Sequence, residues 1–547
     1  MKKPKSAPIF DNKDFPISIV RVSILKGTGI DIEEAKEKPI IGVVNSQTDM
    51  NPGHMHLKEL AVRVKEGVHA AGGIPFEFNV PAPCDGLTEG HPGMRYVLAQ
   101  RELIADTVET HVRSMGFDGL VMIATCDKII PGMLMAAARL DLPAIFLTGG
   151  PNAWGIRWMA GKKDSVDHKD YPDLALKVGT STCSTCGACE IMGTANTFQC
   201  LAEALGMTIP GTANVPGFLS EKLLIARNTG KRVVAMVEEE LTARKILTKK
   251  ALLNAVMVDL AIGGSTNSTL HLPALAHELG MEMPWSVFND YNVKIPTLCS
   301  ISPNGPHGII DLYMAGGIPA VMKQIKDDLN LDALTVTGQA FAQVVEEAVV
   351  KDEKVIRPRE APFKAEGGTV ALLGNLAPEG AVVKQSAVIP EMRKFTGPAQ
   401  IMESEHDALA AFREGKVRMG SVMVIRNEGP KGGPGMPETL AVTMALDLSG
   451  IKNVALLTDG RFSGASYGPC VGQVSPEAYV GGPIAALRDG DEITIDIPGR
   501  KISVKLTDDE IRRRLASYQP QQREVPDGYM RRYIKLVSSA AKGAVLD

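Results

Sequence analysis

Short apolar, β-branched runs recur along the first third of the chain, separated by stretches of helical character, and this alternation constrains the fold more than any other feature. Ile40-Ile41-Gly42-Val43-Val44-Asn45 precedes a helix-like stretch from Lys58 to Ala71, and Gly119-Leu120-Val121-Met122-Ile123-Ala124 precedes Met133 to Leu140. Pro143-Ala144-Ile145-Phe146-Leu147 then ends at Gly149-Gly150. Continuous apolar strands alternating with helices predict an α/β fold built on a parallel sheet. In such sheets ligands gather beyond the carboxyl ends of the strands. Asn45-Ser46, Cys126-Asp127-Lys128 and Thr148-Gly149-Gly150 each follow a predicted strand and are therefore site candidates.

At 547 residues the chain is too long for one ordinary core; a prior of ~150 residues per domain gives three or four, and two large ones also fit. The texture changes between Val345 and Phe363, where a charged stretch with prolines leads into Gly367-Gly368-Thr369-Val370. This predicts a linker, with one domain over residues 1–360 and another over 361–547. Beyond it, Val422-Met423-Val424-Ile425, Val454-Ala455-Leu456-Leu457, the alternating run Glu492 to Ile497 and Lys501-Ile502-Ser503-Val504 are strand-like. Asp489-Gly490 and Pro498-Gly499 supply turns between them. The second domain is expected to be strand-rich and barrel-like.

Composition excludes some partners. The 59 basic and 63 acidic residues leave a net charge of −4, with no block of like charge able to track a nucleic-acid backbone. The start, Met1-Lys2-Lys3-Pro4-Lys5-Ser6, is basic, but Pro8, Asp11, Lys13, Asp14 and Pro16 interrupt any apolar signal core. No run reaches the ~18 apolar residues that a membrane span requires. A cytoplasmic protein is expected, where thiols and oxygen-sensitive clusters survive better than disulfides.

The cysteines point to chemistry. Cys183, Cys186 and Cys189 form a Cys-x-x-Cys-x-x-Cys run, and Cys126 stands beside Asp127 and Lys128. Thiolates select iron–sulfur clusters or zinc, whereas carboxylates select magnesium, calcium or manganese, so soft and hard metal chemistry meet in one region. Zinc usually needs a second Cys-x-x-Cys knuckle, which Cys84, Cys126, Cys200, Cys299 and Cys470 do not supply. A ferredoxin would continue with a fourth cysteine after three residues and then proline, whereas the next cysteine here is Cys200, followed by Leu201. The spacing favours an iron–sulfur cluster over zinc and over buried free thiols.

Two glycine-rich segments follow later. Asn427 to Glu438 has the glycines of a phosphate-binding loop but not its order, and its prolines remove amide donors. Glu438 reads equally as a metal carboxylate or as an acid in the first turn of the helix expected from Leu440. Thr458-Asp459-Gly460-Arg461-Phe462-Ser463-Gly464 puts a serine in a tight turn, and most such serines are turn residues rather than bases.

Taken in order, Pro52-Gly53-His54, Asp85-Gly86, Gly90-His91, Cys126-Asp127-Lys128, Pro131-Gly132-Met133, Gly187-Ala188-Cys189, Thr194-Ala195-Asn196-Thr197, Gly263-Gly264-Ser265-Thr266-Asn267, the loop from Gly429 and Asp459 to Gly464 resemble the family of dihydroxy-acid, sugar-acid and phosphogluconate dehydratases. The match runs nearly end to end. It implies an N-terminal α/β domain, a C-terminal β-barrel-like domain and a homodimer. It also implies Cys126 and Cys189 as cluster ligands, Asp85, Asp127, Glu438 and a carbamylated Lys128 around Mg2+, and Ser463 as the base. The implied reaction removes water from a 2,3-dihydroxy acid to give a 2-oxo acid, with 2,3-dihydroxy-3-methylbutanoate of valine and isoleucine biosynthesis favoured. A sugar acid is the alternative, because Thr88-Glu89-Gly90 and Ser466-Tyr467-Gly468-Pro469-Cys470 depart from the expected residues. Relatives with a two-iron cluster carry a cysteine where this chain has Gly53, so Cys186, ahead of Cys183, is the expected third ligand and a 4Fe-4S cluster is favoured over 2Fe-2S. A non-catalytic iron–sulfur sensor would not need Asp85, Asp127, Lys128, Glu438 and Ser463 together.

Overall fold

The computed structural model describes residues 6–10, 15–153, 183, 185–464, 466, 468–525 and 527–547. Thr182, Ser184 and Tyr467 of the segments singled out above, with most of the chain's basic start, lie outside the described residues.

The apolar runs of the N-terminal part form a four-stranded parallel sheet of order β2-β1-β3-β4. Its strands are β1 (Ile40–Asn45), β2 (Ile74–Asn79), β3 (Gly119–Ala124) and β4 (Ala144–Thr148). β1, β3 and β4 are buried along their whole length, which is why each reads as an unbroken apolar run. Register places Val43 opposite Val121 and Val121 opposite Ile145. Two covering helices, Leu57–Ala70 and Ser220–Glu238, meet at glycines: a side chain at Gly67 would strike the Arg227 carbonyl, and one at Gly230 the Val64 carbonyl. Helix Ile129–Leu140 is buried from Ile129 through Ala138, and Gly132 lets it approach the backbone of helix Arg95–Met115.

The second half closes into an eight-stranded barrel of order β10-β6-β5-β12-β11-β7-β8-β9. Its strands are β5 (Val370–Gly374), β6 (Ala377–Val383), β7 (Lys394–Met402), β8 (Val422–Ile425), β9 (Ala455–Thr458), β10 (Cys470–Ser475), β11 (Glu492–Asp496) and β12 (Lys501–Val504). Val422, Val424, Ala455, Leu457, Ile493, Ile495 and Ile502 share one core. The alternate residues Met423, Ile425 and Leu456 pack with Ala408 and Val442, from helices Glu405–Arg413 and Leu440–Ser449. Both faces of β8 and β9 are thus apolar.

The stretch expected as a linker is anchored to the N-terminal part. Val355 and Ile356 are buried, and Ile356 and Lys364 bridge to Cys299 and Thr297. A further apolar cluster joins the two halves through Leu98, Leu270, Trp285, Ala371, Val382 and Tyr533. Trp285 donates from Nε1 to the Thr269 carbonyl at 2.7 Å. Its ring presses on Gly380 of β6, where φ is +114° and a Cβ would lie 2.7 Å from the ring. Gly380→Ala therefore meets both backbone strain and overpacking, and is expected to cost about 1–3 kcal/mol. The check is the thermal midpoint of the purified protein; an unchanged midpoint would show that the barrel does not bear on Trp285.

Candidate active site

Asp85, Asp127, Lys128, Glu438 and Arg461 arrive from separate elements. Asp85 opens a single helical turn, Asp85–Thr88, just after β2, and Asp127 and Lys128 follow β3, with Lys128 capping helix Ile129–Leu140. Glu438 and Arg461 face each other in an isolated parallel bridge. Since helix Leu440–Ser449 is capped at Thr439, Glu438 lies before its first turn, which removes the helix-acid reading of this residue.

Buried carboxylates fix the loop that carries Glu438. Asp459 accepts from the amides of Asn427 at 3.1 Å, Glu428 at 2.9 Å and Ala478 at 2.8 Å. Glu477 accepts from Lys431 and Gly432, both at 2.9 Å. Gly435, with φ at +80°, lets the loop touch the Arg95 carbonyl where any side chain would collide. Asp459 and the loop glycines are thus scaffold.

The Lys128 ammonium, without solvent exposure, is bound by Asp85, by Asp127 at 3.0 Å and by Glu438 at 3.3 Å. Oxygens of these three carboxylates lie within 4.8 Å of one another. Arg461 donates to Glu438 Oε1 at 2.7 Å, and Asn267 donates to the same oxygen at 2.8 Å. Three carboxylates thus face two cations. Burial, then the charge of Asp127, pushes the Asp85 carboxyl up to about 7 despite Lys128. For Glu438 burial acts upward, but Lys128 and Arg461 prevail and hold it below its usual range. Burial and Arg461 act to lower Lys128, and the three carboxylates outweigh them and raise it. Asp85 Oδ1 and Arg461 Nη2 are buried without a hydrogen-bond partner among the described residues, an acceptor and a donor left for a ligand.

The thiols lie beside this group, and no disulfide joins the eight cysteines, all of them described. Burial, then Cys84 and Asp127, holds the Cys126 thiol well above its usual range, against a 3.4 Å hydrogen bond from Asn51 Nδ2. Cys189 is an exposed residue, although neighbouring protein atoms surround its sulfur. Burial, then Cys84, Cys183 and Asp127, pushes its thiol up to about 12. A Cβ on Gly53 would lie 3.6 Å from Cys126 Sγ. Cys126 and Cys189 therefore share one electrostatic neighbourhood with Cys84 and Cys183, whereas the charge that acts on Cys186 is Glu59. Cys200 bonds Asn214 in the core, and Cys299 and Cys470 are buried.

Ser463 is half-buried in the turn after Arg461, and its carbonyl accepts from Ser466 N at 3.0 Å. Gly464 packs on Gly193, where a Cβ would lie 2.9 Å from the Gly193 Cα. Sequence reasoning assigned no role to Asn267, Arg461, Cys84 or Glu89. Asn267 and Arg461 stood inside quoted motifs, Cys84 beside Asp85, and Glu89 among the departures. Burial, then Glu438, Asp85 and Glu405, pushes the Glu89 carboxyl up to about 10.

Residues 38–344 match the N-terminal family model described as dihydroxy-acid/6-phosphogluconate dehydratase, and residues 354–544 match its C-terminal counterpart. The chain belongs to this family. A protein of Caldanaerobacter subterraneus subsp. tengcongensis named dihydroxy-acid dehydratase is 49% identical over 537 residues, which cover 96% of either chain. A protein of that name from Acetivibrio thermocellus is 48% identical over 545 residues, 96% of this chain and 97% of its own. Dihydroxy-acid dehydratase 1 of Methanosarcina acetivorans is 46% identical over 556 residues, 98% of this chain and 99% of its own.

For a dihydroxy-acid/6-phosphogluconate dehydratase, the two donor sets fit two kinds of centre. Close carboxylates with an orphaned oxygen suit a hard divalent cation, and neighbouring thiols that would repel once ionised suit a soft positive centre. A cation placed among these carboxylates would compete with protons, because it would need Asp85 ionised and Lys128 stripped of its ammonium proton. Affinity for Mg2+ is therefore expected to rise with pH through about 7, by up to ~10-fold per unit for each proton displaced. The check is the Mg2+ concentration that half-restores activity of chelated enzyme at pH 6, 7 and 8; a pH-independent value would show that no proton leaves.

Proposed function

We propose that this chain dehydrates 2,3-dihydroxy-3-methylbutanoate to 3-methyl-2-oxobutanoate, a hydro-lyase step of valine and isoleucine biosynthesis. The observation that carries the reading is the group of Asp85, Asp127 and Glu438 around Lys128, beside Cys126 and Cys189, in a chain so similar to proteins named dihydroxy-acid dehydratase. Asp85, Asp127, Glu438 and a carbamylated Lys128 would hold Mg2+, and Cys126 and Cys189, with Cys186 as third ligand, a 4Fe-4S cluster. When bound, these centres supply charge stabilisation for a substrate carboxylate and 2-hydroxyl, and a Lewis acid for the leaving 3-hydroxyl.

The chain's own residues do the rest. Lys128 sits at a helix N-terminus, whose partial positive charge disfavours an ammonium and favours an anionic carbamate. Asn267 and Arg461 hold Glu438 from behind, so that one carboxylate oxygen is fixed in direction. Arg461 keeps Nη2 for an anionic substrate group. Ser463, as its alkoxide, takes the C2 proton and passes it to the C3 hydroxyl, which leaves as water, and the resulting enol ketonises to the 2-oxo acid. No net oxidation or reduction occurs. The enzyme works as a homodimer in the cytoplasm, where reducing conditions protect such clusters.

A second reading, a polyhydroxy sugar acid, is favoured by Glu89, whose Oε2 is buried beside the carboxylate group without a hydrogen-bond partner among the described residues. A buried acid of that kind rewards a substrate with further hydroxyls and penalises an apolar branch. The test is turnover of anaerobically reconstituted enzyme on both substrate classes. A higher kcat/KM on the branched dihydroxy acid is expected, and preference for an aldonate would replace it. In the same assay Ser463→Ala should keep iron, sulfide and Mg2+ and lose ~10²–10⁴-fold in kcat, as removal of a positioned base does. Near-normal turnover by that variant would return Ser463 to the role of a turn residue.

A further inference from the structure

Lys384 is a buried lysine that neither donor set uses. It follows the last residue of β6, and its ammonium donates to the Gly464 carbonyl at 3.1 Å and to the Met192 carbonyl at 3.4 Å. Gly464 is the residue after Ser463, and Met192 lies three residues beyond Cys189. One cation therefore joins the serine turn to the cysteine turn. The two segments also approach at Gly464 and Gly193, where a Cβ on Gly464 would lie 2.9 Å from the Gly193 Cα. The next residues reinforce the link, since the Ala387 carbonyl accepts from Gly468 N at 3.1 Å.

Such an arrangement is costly to maintain. A buried ammonium served mainly by carbonyl oxygens loses most of its hydration. Burial pulls Lys384 down to about 8, with Asp259 partly offsetting it. Ser268 donates to Oδ2 of the Asp259 carboxylate at 2.8 Å, and although Asp259 acts on Lys384 through its charge, the two form no ion pair among the described contacts. An apolar side chain would fill the same space at less cost if packing were all that mattered.

We propose that Lys384 is a positioning residue for proton abstraction, setting the Ser463 turn against the cysteine turn through its two carbonyl contacts. The inference rests on Ser463 as the base. A hydroxyl on a tight turn has little freedom of its own, so the place of its oxygen relative to the substrate C2 follows the place of the Gly464 peptide. Displacement of such a group by about 1 Å costs on the order of 10²-fold in rate. Substrate binding, which falls to the carboxylate group and Arg461, should change little.

The test compares Lys384→Met, which keeps the volume and removes the donors, with Lys384→Gln, which keeps a neutral donor of shorter reach. Both are assayed anaerobically as holoenzyme on the substrate that wild type turns over, with hydrogen or deuterium at C2, alongside iron, sulfide and Mg2+ content. Lys384→Met is expected to keep its metals, hold KM within about threefold, lose ~10²-fold in kcat and show a larger deuterium isotope effect on kcat. Lys384→Gln should fall between it and wild type, and carries the same readout if the methionine variant does not fold. Two results would overturn the proposal: kcat within threefold of wild type, or a loss of kcat that tracks lost metal with the isotope effect unchanged. Ser463→Ala in parallel separates the two readings, because normal turnover there removes the base itself, whereas an inactive Ser463→Ala beside a normal Lys384→Met removes only the clamp.

Discussion

A lysine side chain sealed from solvent and surrounded by three carboxylates is an arrangement on which much of this molecule depends. Lys128 comes from the segment after β3 of the parallel sheet, Asp85 from the turn after β2, the edge strand on the far side of β1, and Glu438 from a loop of the barrel half. None of these charges is stable alone at that depth, because an isolated buried ion costs several kcal/mol and truncating one partner of a buried pair strands the other. Glu438 and Arg461 from the barrel half and Lys128 from the N-terminal half therefore stabilise one another's ionised forms at that depth. In the folded chain the ammonium occupies the place that the carboxylates offer to a cation, so proton and metal compete for the same negative charge.

Much of the surrounding structure serves to aim these groups. Asp459 and Glu477 spend their carboxylates on backbone amides of the Asn427 to Glu438 loop, which turns a flexible glycine-rich segment into a rigid arm. Gly435 lets that arm reach the helix that starts at Arg95. Asn267 connects Glu438 to Thr194 at 2.8 Å, and Thr194 connects to Ser265 at 2.9 Å, so the carboxylate, the helix that follows the cysteine turn and the loop carrying Asn267 share one buried polar network. Networks of this type are rigid when every member is satisfied and costly when one is lost.

Where strands are buried on both faces, the sequence alone showed their limits: Ile40–Asn45, Gly119–Ala124 and Val422–Ile425 are read at the bounds they have in the structure, as is the alternately buried Lys501–Val504. β2 was harder, since Pro75, Glu77 and Asn79 break the apolar run of an edge strand. Helix Ile129–Leu140 was read as starting at Met133 because Pro131-Gly132 looks like a break, although proline in a first helical turn gives up no hydrogen bond. The adjacency of Cys126, Asp127 and Lys128 was legible as a meeting of soft and hard donors. What Arg461, Asn267 and Lys384 do was not legible, because a buried cation declares itself only by which distant carbonyls and carboxylates it reaches. Glu438 was undecided for the same reason, its bridge to Arg461 being a contact between segments that no local pattern encodes.

The claim most open to direct test is that the Lys128 nest is the hard-cation site and that binding converts the lysine from a cation into a ligand. Crystals of the anaerobically reconstituted enzyme, grown with Mn2+ in place of Mg2+ and with bicarbonate present, give an anomalous signal that locates the ion without assumption. The account predicts a peak bounded by Asp85, Asp127 and Glu438, with density for a carbamate on Lys128 Nζ. An ion bound elsewhere, with Lys128 still an unmodified ammonium among the three carboxylates, would contradict it.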